Sequence, residues 1–144
     1  MFRIKSSAHA PAVSLPLFAD RIPAGFPSPA ADFAEEELDF NELLIRRRAA
    51  TYCLRVSGDS MQGAGILPGD ILVVDRSVYP LDSDIVVASL DGEFTVKRLI
   101  TSGGQAVLRP ENPAYRETVI TEDRDFLVFG VVTGVVRTMK RGRG

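Results

Sequence analysis

A chain of 144 residues, 45% of them hydrophobic, makes one ordinary domain or a smaller domain with an arm. A formal net charge of −2 and a pI near 5.4 argue against binding nucleic acid through bulk charge. No run approaches the roughly 18 consecutive apolar residues of a membrane helix, and none resembles a signal peptide, so a cytoplasmic protein with no membrane partner is expected.

Residues 1–38 read as an arm. Pro11, Pro16, Pro23, Pro27 and Pro29 fall within it, and proline removes backbone donors and disfavours helix in the residue before it. Val13, Leu15, Leu17, Phe18 and Ile22 are too many apolar side chains for a free tail, so an arm that docks on a surface is expected. Asp32, Glu35, Glu36, Glu37, Asp39 and Glu42 form an acidic stretch that reads as a solvated helix. Residues 39–144 then form the main domain. Its first element is a short helix from Asp39 to Arg46, capped by Asp39, with Glu42 completing a capping-box-like pair and Phe40, Leu43 and Leu44 on one face.

From Thr51 the pattern turns to strands. They are expected at 51–56, 70–75, 84–90, 93–101, 106–109, 118–121 and 126–139, with Asp91-Gly92 as a hairpin turn and Gly130 and Gly134 as bends in the last run. Many short strands joined by short turns predict a mainly β domain, a curled, barrel-like antiparallel sheet with one short helix. The basic tail, Arg137, Lys140, Arg141 and Arg143, reads as solvated.

Elimination narrows the chemistry. One His (His9) and one Cys (Cys53) leave no zinc site of the usual kind, and a triad through His9 would rest on the Pro/Ala-rich arm. Neither GxxxxGK[ST] nor GxGxxG occurs, and no cofactor is implied. A hydrolase built from this chain is left with a Ser-Lys pair or a pair of carboxylates, Asp59 with Asp70 or Asp75.

Ser60 lies in the glycine-bearing turn Ser57-Gly58-Asp59-Ser60-Met61, directly after a strand. Such a turn exposes a hydroxyl and leaves amides, those of Ser60 and Asp59 or Gly58, to hold an oxyanion. Lys97 sits among apolar residues in Phe94-Thr95-Val96-Lys97-Arg98-Leu99. Burial disfavours an ammonium and turns a lysine into a usable base. Each residue alone has a plainer reading, a structural turn serine and a strand lysine that reaches solvent.

Taken together, these blocks resemble the LexA/UmuD family of self-cleaving serine peptidases. The resemblance is carried by Ser57-Gly58-Asp59-Ser60-Met61, Gly65-Ile66-Leu67-Pro68-Gly69-Asp70-Ile71-Leu72-Val73-Val74-Asp75, Phe94 to Leu99, Leu108-Arg109-Pro110-Glu111-Asn112-Pro113 and Phe129-Gly130-Val131-Val132, in order over about residues 40 to 137. It implies the LexA-like peptidase fold, a homodimer, a Ser60–Lys97 dyad and a cleaved bond at Ala24-Gly25. The segment before that bond is too short for a helix-turn-helix domain, which implies the UmuD/MucA-like branch without sequence-specific DNA binding. By the same resemblance, a RecA filament on single-stranded DNA stimulates cleavage, and the shortened form joins a UmuC-like Y-family translesion polymerase. Type I signal peptidases share a Ser-Met turn and a Lys-Arg strand but need a membrane anchor. A purely structural, dimeric polymerase-binding module is the remaining alternative.

Overall fold

The computed structural model describes residues 13–18, 21–22 and 35–142. Ala24 and Gly25, at the expected cleavage bond, lie outside the described residues, as does His9. The chain divides into two compact units, one up to Arg46 and one from Arg47 onward.

The first unit is a two-stranded antiparallel hairpin followed by a helix. Strand β1 (Ser14–Phe18) pairs with β2 (Glu35–Asp39), with Leu15 opposite Leu38 and Pro16 opposite Glu37. The acidic stretch read as a solvated helix is therefore a strand from Glu35 to Asp39. Main-chain pairing with β1 overrides its low β propensity, and Pro16 is tolerated because each strand of a two-stranded ribbon has a free edge. The expected helix follows as α1 (Phe40–Leu44), where the Asp39 carboxylate accepts the Asn41 N–H at 2.8 Å. Leu44 is half-buried, while Phe40 and Leu43 are exposed.

The second unit is one seven-stranded sheet in which every neighbouring pair is antiparallel. Its strands are β3 (Thr51–Arg55), β4 (Ile71–Asp75), β5 (Ile85–Leu90), β6 (Glu93–Ser102), β7 (Gln105–Arg109), β8 (Thr118–Ile120) and β9 (Phe126–Val136). The spatial order is β3-β4-β9-β5-β6-β7-β8. The mainly β expectation holds, and each expected strand is found with its ends displaced by a few residues at most.

Hydrophobic clusters cover both faces. Met61, Ile66, Leu72, Val74 and Val87 form one, and Val86, Ala88, Leu99, Leu108 and Val131 the other. Adjacent residues of β5 serve opposite clusters, because successive side chains of a strand point to opposite faces. This is why β4 and β5 read as continuous apolar runs rather than alternating ones. The last strand carries two bulges, one beside Gly130 and one beside Gly134, where an extra residue enters β9 against β5 and β4 respectively. Gly130 has no substitute at this close approach: a Cβ there would sit 2.6 Å from Val74 Cγ1 and 3.0 Å from the Asp75 carbonyl. Among the described residues, no helix is long and apolar enough to cross a membrane.

Candidate active site

After β3 the chain turns back through Gly58, whose φ of 83° favours glycine. Met61 follows and inserts into the first cluster at 3% exposure. A single 3-10 turn, Gln62–Ala64, and Gly65 then lead the chain towards β4. Anchoring Met61 in the core leaves its neighbour Ser60 half-buried at the edge of the sheet.

Lys97 lies in the middle of β6, opposite Val86 on β5. Its Nζ lies 2.9 Å from Ser60 Oγ, 2.7 Å from Thr95 Oγ1 and 3.1 Å from the Val96 carbonyl oxygen. Thr95 shares the face of Lys97, two residues back, so strand geometry alone brings its hydroxyl to the amine. Among the described residues no carboxylate forms a salt bridge with Lys97. Burial therefore acts unopposed and holds the amine below the ordinary lysine value. A cleft of about 480 Å³ opens from Lys97 across the same face, lined by Leu90, Glu93, Thr95, Leu108 and Thr118 among others.

The three aspartates of the carboxylate alternative are engaged separately. Asp70, 1% exposed, receives two hydrogen bonds from Arg137 and one from the Leu67 amide. These donors hold its carboxyl down at about 2. Asp75 accepts the amide and hydroxyl of Ser77, and Asp59 accepts the Tyr115 hydroxyl. Hydrogen-bonded acceptors of this kind are structural groups, not an acid and base facing one bond.

Comparison with known proteins gives the family. The family model for peptidase S24-like proteins matches residues 16–133. The chain belongs to the peptidase S24-like family. Relatives cover most of this member's length. It is 54% identical to Protein SamA of Salmonella typhimurium strain LT2 over 84% of both chains. It is 52% identical to Protein ImpA of Escherichia coli over 89% of this chain and 87% of that one. Protein MucA of Escherichia coli is 45% identical over 83% and 82%. The chain is UmuD-like in this sense.

In this S24-like chain the structure brings Ser60 and Lys97 together, as the sequence led one to expect. The amides of Ser60 and Asp59 donate to no protein acceptor among the described residues. A set of supporting residues had no assigned role in the sequence. The loop between β7 and β8 meets the serine turn on three sides: Glu111 N–H donates to the Ser60 carbonyl at 2.8 Å, the Glu111 carbonyl accepts from Gly63 N–H at 2.8 Å, and Asn112 Nδ2 donates to the Asp59 carbonyl at 3.0 Å. Gly63 is required at this contact, since a Cβ would sit 2.6 Å from the Glu111 carbonyl oxygen. The run Pro110-Glu111-Asn112-Pro113 signals a turn, but nothing local in it points to Ser60.

Proposed function

We propose that this chain is a self-cleaving serine peptidase that cuts its own Ala24-Gly25 bond. The observation that carries the reading is the 2.9 Å approach of Lys97 Nζ to Ser60 Oγ, with the amine half-buried and, among the described residues, no carboxylate in a salt bridge with it. Neutral Lys97 takes the Ser60 proton as Oγ attacks the Ala24 carbonyl carbon. The amides of Ser60 and Asp59 hold the oxyanion that forms there. Collapse breaks the bond to Gly25, whose nitrogen receives the proton from Lys97. Water then attacks the acyl-enzyme, giving a proton to Lys97, which passes it to Ser60 Oγ as that bond breaks and residues 1–24 leave with a new carboxyl group. Small residues on both sides admit the nucleophile, and proline at 23 disfavours helix in the residue before it.

The UmuD-like relatives support a place in the SOS response to DNA damage. On that reading the protein is a cytoplasmic homodimer. A RecA filament on single-stranded DNA stimulates cleavage, and the shortened form serves a UmuC-like Y-family polymerase as accessory subunit in translesion synthesis. The test is intact mass after incubation of the purified protein at alkaline pH, with Ser60→Ala alongside. Loss of residues 1–24 from the wild type alone is the expected result. Absence of cleavage, with and without an added RecA filament, would overturn the catalytic reading in favour of a binding module.

A further inference from the structure

We propose that Asn112 is a positioning residue for the serine turn: its side-chain amide fixes the peptide unit between Asp59 and Ser60 and so keeps the Ser60 N–H aimed at the oxyanion. The proposal rests on the reading of Ser60 as nucleophile and deepens it. In a trans peptide the C=O and N–H point in opposite directions, and no peptide bond here is cis. Whatever grips the Asp59 carbonyl therefore sets where the Ser60 N–H points. Asn112 grips it, with Nδ2 donating at 3.0 Å.

The carboxamide is itself held. It is 9% exposed, and its Oδ1 accepts the Ala114 N–H at 3.0 Å. Both ends of the side chain are thus used, and the amide cannot rotate without losing one of them. The next peptide unit, between Ser60 and Met61, is fixed from the same loop by Glu111 N–H on the Ser60 carbonyl. The Gln62 amide also reaches the Asp59 carbonyl, at a longer 3.2 Å and from within the turn itself. Asn112 is the tie from outside. The loop is in turn fastened to the strand of the base, because Arg98, next to Lys97, bonds the Glu111 carboxylate. An aspartate at 112 keeps the shape of asparagine but presents an oxygen where a donor is needed.

The experiment follows self-cleavage of the full chain by intact mass from pH 7 to 11, giving a plateau rate and a midpoint. Asn112→Ala and Asn112→Asp are compared with the wild type, and Ser60→Ala marks zero. Removing a single oxyanion-hole donor outright lowers rates by about 100- to 1,000-fold. Loosening its aim is expected to lower the plateau by about 10- to 100-fold in both variants; the midpoint stays unchanged for Asn112→Ala, which leaves the surroundings of Lys97 intact, whereas the new carboxylate of Asn112→Asp favours the ammonium and raises it. If thermal melting shows that alanine or aspartate prevents folding, Asn112→Ser, whose hydroxyl falls short of the carbonyl while filling more of the space, is read in the same way. A plateau within about threefold of wild type would overturn the proposal, as would a loss explained wholly by a shifted midpoint. Absence of cleavage in the wild type would instead overturn the reading of the site and the proposal with it.

Discussion

An amine has two N–H donors and one lone pair when neutral, and three donors with no lone pair when charged. Lys97 meets three oxygens, those of Thr95, Val96 and Ser60. The ammonium satisfies all three by donating, and the neutral amine does so by donating to Thr95 Oγ1 and the Val96 carbonyl and accepting from the Ser60 hydroxyl. Removing the base is expected to cost about 10²- to 10⁴-fold in cleavage rate, so Lys97→Ala should be nearly inactive while still folding. Lys97→Arg should fail as well, because arginine stays charged; intact mass reads both. The pH dependence has a definite sign. The folded value of Lys97 lies below its ordinary 10.5, so the neutral fraction grows with pH and the rate should rise to a plateau with its midpoint below that value. Between the folded and unfolded values the unfolded chain binds more protons, and the contribution of Lys97 to stability rises with pH. At neutral pH the half-buried ammonium is a burden, and Lys97→Met should melt at or above the wild-type temperature in thermal scans. Ser60 and Lys97 were both legible as residues, since a serine in a glycine turn and a lysine among apolar neighbours are local signals. Thr95 was within reach of the same reasoning, through the period of two on β6. Asn112 was not, because its partner lies far away in sequence.

Among the elements, strands with their own hydrophobic logic were plain in the sequence. Ile71 to Val74 and the alternation of Glu93 to Ile100 leave little choice. The hairpin of β1 and β2 was missed because Pro16 and a row of glutamates argue against strand on propensity, and nothing in either segment reveals the other as its partner. The helix between them and the sheet was found through its cap. Glycines gave uneven information. Gly130 and Gly134 were read as bends and lie beside the two bulges, whereas Gly63 gave no hint of the carbonyl pressed against it. Adding a methyl group there must push the Glu111 loop away and weaken the hydrogen bond between them. Gly63→Ala is expected to destabilise the fold by about 1–3 kcal/mol, as overpacking commonly does. Chemical denaturation measures that loss, and a variant as stable as wild type would show that the loop gives way freely.

At the scale of the whole molecule, one ion pair binds the end of the chain to its middle. Arg137, just past β9, makes two hydrogen bonds to Asp70 and a third to the Gly65 carbonyl. With the folded carboxyl at about 2, below its ordinary 3.8, the pair contributes stability at pH values above the unfolded value. That contribution fades as pH falls from about 4 through about 2. Arg137→Ala should therefore lower stability at pH 7 and flatten the acid limb of the unfolding curve, which stability measured against pH resolves. The sequence placed Asp70 at the start of a strand and Arg137 in a solvated tail. Only the pairing of β4 with β9, with Ile71 opposite Val136, makes them neighbours.

The continuity of the sheet depends on β9. The turn of Ser60 belongs with β3 and β4, and Lys97 belongs with β5 to β8. Among the described strands, β9 alone is hydrogen-bonded to both groups, through β4 on one side and β5 on the other. A chain emerging from the ribosome delivers the hydroxyl first, the amine later, then Asn112, and last the strand that joins the halves. Until residues 126–136 have been made, the two groups belong to sets of strands that no strand pairing joins. A fragment ending before residue 126 would therefore keep both reactive groups without the strand that joins their halves.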